Sequence, residues 1–220
     1  MKTLIVSATH LELKPLLEKS EKVNRIDDKL RTYKLDGNEF DLLCTGVGMV
    51  ATSFHMGRVL ASNTYDKVIN AGIAGSFEKN IPLGTVVEIV EDQFPEMGAD
   101  DGEHFLSLLD LELIEADDFP FQSGILSNEQ SVWSLAHPKV KSITVNTVHG
   151  CEERIAKTEE RFRPQVESME GAAFFYACKT ANIPCVQIRS ISNYVERRNR
   201  DSWNIPLAIH NLNTEILKLL

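Results

Sequence analysis

Three polar residues stand where a side chain can act on a small molecule: Glu12, Glu170 and Asn193. Glu12 follows a strand-like run at 3–8. Glu170 sits where the polar segment Glu167-Ser168-Met169-Glu170 opens a helical run of small and aromatic residues at 171–181. Asn193 closes an apolar strand over 185–191. A carboxylate can stabilise a developing cation or draw a proton from water, and an amide offers both an acceptor and donors. In an open α/β sheet, ligands collect at the carboxyl ends of strands, so these groups can share one pocket. Each also has a purely structural reading. Glu12 can close a capping box with Thr9, Glu170 is favoured by the dipole and free N–H groups of its own helix, and Asn193 can serve as a turn residue.

Glycine-bearing segments accompany them. Thr45-Gly46-Val47-Gly48 separates a strand from a helix running from 49 to about 62, and Asn70-Ala71-Gly72-Ile73-Ala74-Gly75-Ser76-Phe77 reads as a loop after a buried strand at 67–71. Glycine lets backbone approach a ligand, and a helix start offers free N–H groups. Neither segment is a Walker A loop or a full G-x-G-x-x-G fingerprint. Phe77 reads as core or as a pocket wall. A third strand-end loop, 146–150, carries His149, whose ordinary pKa suits acid–base work, although a lone loop histidine is more often polar surface. The acidic stretch 91–101 reads as solvated surface or, over residues 94–98, as a mobile loop over the site instead.

The elements that must position these groups follow from periodicity. Segments 29–36 and 39–44 flank Gly37-Asn38, a hairpin signal of type II′. A helix opening at Thr9 carries Pro15 near its first turn, which predicts an irregular start. Further strands are expected at 83–90 and 140–145, and helices at 129–136 and 152–162. A last amphipathic helix carries Ile209, Leu212, Ile216 and Leu219. Residues 105–120 follow no single period. The pattern predicts one domain over 1–220, an α/β fold with a mixed sheet and helices on both faces.

With 220 residues and a formal net charge of −9, the chain suits neither a nucleic-acid surface nor an anionic membrane. Its first apolar run is too short to span a bilayer, and no signal peptide is expected. Cys44, Cys151, Cys178 and Cys185 are scattered; three of them lie in apolar runs and read as buried thiols in a reducing cytoplasm.

The chain resembles the nucleoside phosphorylase/nucleosidase superfamily and, within it, the futalosine hydrolases. The resemblance is carried by Glu12, by T-G-V-G at 45–48, N-A-G-I-A-G-S-F at 70–77, E-S-M-E-G-A-A at 167–173 and R-S-I-S-N-Y-V-E-R-R-N-R-D-S-W at 189–203. It implies a three-layer α/β/α sandwich around a central mixed sheet, assembled as a homodimer or larger. It implies hydrolysis of the N-glycosidic bond of a nucleoside, with no cofactor and no metal. Glu170 would hold the ribose, with Met169 packed on the sugar, and Glu12 would orient the attacking water. Gly46, Gly48, Ala74, Gly75, Phe77 and Ser168 would line the substrate. Adenosine-cleaving relatives carry Asp where this chain has Asn193; a neutral amide suits a 6-oxopurine and implies futalosine as substrate. A methylthioadenosine nucleosidase, a purine nucleoside phosphorylase and a non-catalytic nucleoside binder are the competing readings. The phosphorylase is disfavoured because no arginine stands in or beside the glycine segments. Arg197, Arg198 and Arg200 are candidates by charge for an acidic substrate group.

Overall fold

A computed structural model of the chain describes residues 2–102, 104–128 and 135–220. It runs β1 (Thr3–Ser7), α1 (Lys14–Lys19), β2 (Glu21–Arg25), β3 (Leu30–Leu35), β4 (Asn38–Cys44), α2 (Met49–Ser62), β5 (Lys67–Ser76), β6 (Val86–Gln93), β7 (Gly98–Asp101) and β8 (His104–Ser107). Then come β9 (Leu126–Ser127), β10 (Lys139–Thr144), α3 (Glu152–Phe162), β11 (Val166–Ser168), α4 (Gly171–Thr180), β12 (Cys185–Tyr194) and α5 (Ile205–Leu219). The main sheet has the order β11-β10-β6-β12-β5-β1-β4-β3-β2, with β9 beside β6. It is mixed: β1, β4, β5 and β12 are parallel neighbours, while β3 meets β4 and β6 meets β12 in antiparallel fashion. β11 also pairs with β5, which closes β5, β12, β6, β10 and β11 into a ring.

β1 and β5 are apolar and buried because they lie inside the sheet with helices over both faces. Met56 and Val59 of α2 pack with Ala172, Phe174, Phe175 and Cys178 of α4 in one core. Leu16 of α1 packs with Leu212 and Ile216 of α5 in the other. Burial of each large side chain contributes roughly 1.5–3 kcal/mol. The three-layer α/β/α sandwich expected from the sequence is the observed architecture. Cys44, Cys178 and Cys185 are buried free thiols and Cys151 is exposed.

Several local expectations need correction. The segment 70–77 is not a loop, because β5 continues to Ser76. β12 likewise runs on to Tyr194, with a register shift between Ile191 and Asn193. Glycine inside β5 removes side chains where neighbours press on its backbone: a Cβ on Gly72 would collide with the Arg189 guanidinium. The hairpin turn is Asp36-Gly37, not Gly37-Asn38. Leu35 pairs with Asn38, and φ is +48° and +89° at the two turn residues, the type I′ sign pattern that Asp-Gly favours. α1 begins at Lys14, so Thr9 is not its cap; Pro15 stands in its first turn, where a missing N–H costs least. The strand expected at 83–90 is β6, shifted toward Gln93. The acidic stretch is partly core, since Asp92 is fully buried, and Gly98–Asp101 pairs with His104–Ser107 as the antiparallel β7–β8 pair. Of the helix expected at 129–136, residues 129–134 lie outside the described residues and 135–136 are not helical.

Candidate active site

The carboxyl ends of β1, β5 and β12, the turn before α2 and the β11–α4 junction surround a cavity of about 340 Å³. Its wall includes Glu12, Ala74, Gly75, Ser168, Met169, Glu170 and Asn193, all named from the sequence. Gly46, Gly48 and Phe77 do not line it. Phe77 packs edge-on against His149, 6.1 Å between centroids, behind the wall. Gly48 acts one step back: its N–H donates to Glu170 Oε1 at 3.0 Å. Gly46 and Gly48 have φ of +94° and +97°, a backbone that glycine alone adopts at little cost. Val47 between them faces the cavity. The 94–98 turn is no cover over this site, because Phe94 and Met97 line a separate cavity of about 250 Å³.

Glu12 is held by the turn that replaces the expected helix start. Its Oε2 accepts from Ser7 Oγ (3.0 Å), Thr9 N (2.9 Å) and Thr9 Oγ1 (3.1 Å), while Oε1 accepts from Ile73 N at 3.2 Å. One oxygen is therefore saturated, and Oε1 keeps a lone pair for a ligand or a water. Glu170 is 6% exposed and N-caps α4 by position, yet its side chain makes no cap bond there. It turns instead to the amino end of α2, where helix N–H groups favour a negative charge. Burial pushes the Glu170 carboxyl above the ordinary carboxylate range, opposed by the charge of Arg189 and the Gly48 N–H, with Glu12 adding to the upward push.

Arg189 was not singled out by the sequence argument. It is fully buried; its Nε donates to Gln187 Oε1 at 3.0 Å and its Nη2 donates to Asn70 Oδ1. Gln187 in turn donates to Asp92 Oδ2 at 3.2 Å, and Asp92 Oδ1 accepts from Thr144 Oγ1 at 2.9 Å. Burial pushes the Asp92 carboxyl up to about 6, against the hydrogen bonds from Gln187 and Thr144 and the charge of Arg189. This chain fixes which end of the Gln187 amide faces Arg189, and so orients the guanidinium beside Gly72 and Glu12 Oε1. The clue in the sequence is the polar pair Gln187 and Arg189 at alternate positions of an otherwise apolar strand. Arginine thus does stand beside a glycine segment in space. Its Nε and Nη2, however, are engaged with Gln187 and Asn70, and the adjacent Glu12 carboxylate would repel a phosphate.

Asn193 reaches the cavity because β12 shifts register just before it. Its Nδ2 donates to Tyr194 O (3.0 Å) and its Oδ1 accepts from Ser192 Oγ (2.8 Å), which fixes the amide and leaves one N–H and one lone pair. His149 is not loose surface. Its Nδ1 lies 2.6 Å from Glu167 Oε2 and its Nε2 lies 2.9 Å from Thr158 Oγ1. At the mouth, Arg198 lies over the Trp203 ring, 5.1 Å from its centroid, and both line the cavity with Leu11, Ile205 and Ile209.

A profile described as Phosphorylase superfamily matches residues 2–219. The chain is 28% identical to a futalosine hydrolase of Streptomyces coelicolor over 186 residues, covering 82% of this chain and 78% of that protein. It is 24% identical to a 5′-methylthioadenosine/S-adenosylhomocysteine nucleosidase of Pseudoalteromonas translucida, over 96% of this chain and 92% of that one. A solved nucleosidase of the latter kind from Colwellia psychrerythraea, in complex with adenine, has the same fold: TM-score 0.80 at 22% identity, over 100% of this chain and 94% of that one.

Proposed function

The chain belongs to the phosphorylase superfamily, and we propose that it hydrolyses the N-glycosidic bond of futalosine, releasing hypoxanthine and dehypoxanthine futalosine in menaquinone biosynthesis. The similar proteins divide between futalosine and methylthioadenosine hydrolysis, so the choice of base rests on one observation. At the cavity wall the chain offers the amide of Asn193, its free lone pair and free N–H both fixed in direction. An amide accepts from a protonated N7 and donates to a 6-oxo group; adenine's 6-amino group would meet its N–H donor to donor. An unpaired buried donor costs about 1–3 kcal/mol.

In this reading the C1′–N9 bond breaks with its electron pair going to the base, and positive charge grows on the ribose. Glu170 holds the ribose hydroxyls and stabilises that cation. As the water oxygen bonds to C1′, Glu12 Oε1 receives a proton from that water and the departing base takes its N7 proton from solvent; Arg189 is placed to hold Glu12 and Glu170 in a fixed field. Met169 packs on the sugar. The protein is further proposed to act as a homodimer or larger assembly in the cytoplasm. Val50 (78% exposed) and Phe54 (65%) on α2, next to Val47 and Leu11 at the mouth, form an apolar surface suited to self-association. Among the described residues, no helix is long and apolar enough to cross a membrane.

The deciding measurement is base release from futalosine and from methylthioadenosine, each with and without phosphate. Phosphate-independent hypoxanthine release supports the reading, adenine release moves the protein to the methylthioadenosine class, and phosphate dependence makes it a phosphorylase. Asn193→Asp is expected to cut the futalosine-to-methylthioadenosine ratio of kcat/KM by about 10- to 100-fold, the worth of one or two buried hydrogen bonds. Arg198 and Trp203 are suited to the carboxylated aromatic end of futalosine, a planar cation stacked on an aromatic ring. Arg198→Ala is therefore expected to raise KM for futalosine about tenfold and to leave KM for inosine unchanged. An equal rise for both would remove this assignment.

A further inference from the structure

The cavity of about 250 Å³ beside Phe94 and Met97 shares no lining residue with the reaction cavity. Phe94 directly follows β6, Leu109 and Phe121 come from the segment between β8 and β9, and Phe162 ends α3. The segment between β8 and β9 is tied to itself. Leu113 N donates to Leu108 O at 2.9 Å, Gly124 N to Ala116 O at 2.7 Å and Phe121 N to Asp118 O at 2.8 Å. The wall is therefore held by its own backbone and does not need an occupant to form it.

Arg161, in the last turn of α3, is the one charged residue lining this cavity among the described residues. Its guanidinium is held by aromatic rings: Cζ lies 4.0 Å from the centroid of Phe105 and 4.9 Å from that of Phe162. Stacking occupies the flat face of the cation and leaves its N–H edge to donate elsewhere. Among the described residues that edge makes no hydrogen bond. Its ion pair is Asp110, where Nη2 to Oδ2 is 3.8 Å, beyond hydrogen-bond reach. Asp110 is engaged elsewhere, since the same oxygen accepts from Ser107 N at 2.8 Å and from Ser107 Oγ at 2.6 Å. The Arg161 side chain is only 30% exposed, and burial holds its guanidinium below the usual value, against the charge of Asp110.

A cation that has given up water without gaining hydrogen bonds calls for an anionic acceptor. A carboxylate matches its shape, because two parallel N–H bonds run from one guanidinium edge to its two oxygens. The rest of the wall is mostly apolar, and Phe94, Met97, Phe121 and Phe162 suit the edge and face of a ring. We propose that this cavity is a second ligand site that takes a small, free aromatic carboxylate, its acid group forked on Arg161 and its ring against Phe94, Met97 and Phe121. The volume is below that of a drug-sized pocket, so it suits one ring with a short acid and not a whole nucleoside. Inorganic phosphate would set a more strongly hydrated charge against an apolar wall with a single cation to meet it. A neutral ring would leave the guanidinium unpaired. The inference is independent of the nucleosidase reading.

The test is calorimetric titration with benzoate. Arg198 at the mouth of the reaction cavity can take the same acid group, so the titration is run on Arg198→Ala and on the double variant Arg198→Ala/Arg161→Gln. Arg198→Ala is expected to bind benzoate with a Kd of about 1 mM, an ordinary affinity for a ligand of about nine non-hydrogen atoms. The added Arg161→Gln is expected to weaken binding by about tenfold or more. Arg161 also braces two rings, so Arg161→Lys serves as a milder variant. It keeps the charge, loses the fork, and is expected to bind about threefold more weakly. Unchanged affinity in both Arg161 variants overturns the proposal, as does an Arg198→Ala protein that binds no benzoate up to about 20 mM. A further comparison leaves Arg161 untouched: benzamide, similar in shape but uncharged, and inorganic phosphate are each expected to bind Arg198→Ala about tenfold more weakly than benzoate or worse. Benzamide or phosphate binding as well as benzoate overturns the assignment of the cavity to an aromatic carboxylate.

Discussion

Glu170→Gln is expected to lower kcat on futalosine by about 10²–10³-fold, the usual cost of removing one preorganised electrostatic group from a reacting centre. The substitution is nearly isosteric, and its carbonyl oxygen can still accept the Gly48 N–H that anchors Glu170 at the start of α2. Fold and cavity should survive, so thermal melting should move little while base release collapses. In the proposed reaction, what disappears is the full negative charge facing the ribose. Binding of ground-state substrate should weaken far less than kcat, because the cation exists only as the bond breaks. Activity within about threefold of wild type would remove Glu170 from the site. The same carboxyl predicts the acid side of the pH profile. In the proposed reaction the ionised form is the active one, and burial raises its pKa, so it is protonated at a higher pH than an ordinary carboxylate. The kcat of wild type should therefore fall as pH drops through that raised value, earlier on the way down than an exposed glutamate would give. A profile flat to the ordinary carboxylate range would contradict the placement of Glu170 against the ribose.

Glu12→Gln is expected to lower kcat by about 10²–10⁴-fold, the range for loss of a general base. Here a structural cost accompanies the chemical one. Oε2 accepts from Ser7 and from both donors of Thr9, and Oε1 accepts from the Ile73 N–H. An amide must turn its NH2 toward one of these donor sets, at about 1–3 kcal/mol. A lowered melting temperature is thus expected alongside the loss of turnover. In the proposed reaction the base binds at the Asn193 end of the cavity, away from Glu12, so hypoxanthine affinity should stay within about threefold of wild type. If hypoxanthine binding collapsed together with kcat, Glu12 would be supporting the cavity as a whole rather than the water.

The amino-acid sequence by itself determined the layered α/β class, because period-two and period-three-to-four apolar patterns each admit one way to bury their faces. α2 and α3 occupy the residues that the pattern predicts. It also marked Glu12, Glu170 and Asn193, since polar residues at strand ends and helix starts break an apolar pattern locally. Elements without a local period were not legible: β2, the β7–β8 pair and β11 are short or polar and exist through their pairing. Boundaries were misread for the same reason. The glycines of 70–77 look like a loop, but β11 and β12 supply backbone partners that extend β5 to Ser76.

The partners of each charge were decided by tertiary structure alone. Glu170 lies 122 residues from the Gly48 N–H that it accepts, and Arg189 lies 119 from the Asn70 amide that holds it. Glu167, Gly75 and Asn193 come together only because β11 and β12 flank β5 at one register position. Residue type shows that a buried charge needs a partner, since leaving it unpaired costs several kcal/mol. Which partner it finds depends on sheet order and register, and these are set by the packing of the whole chain.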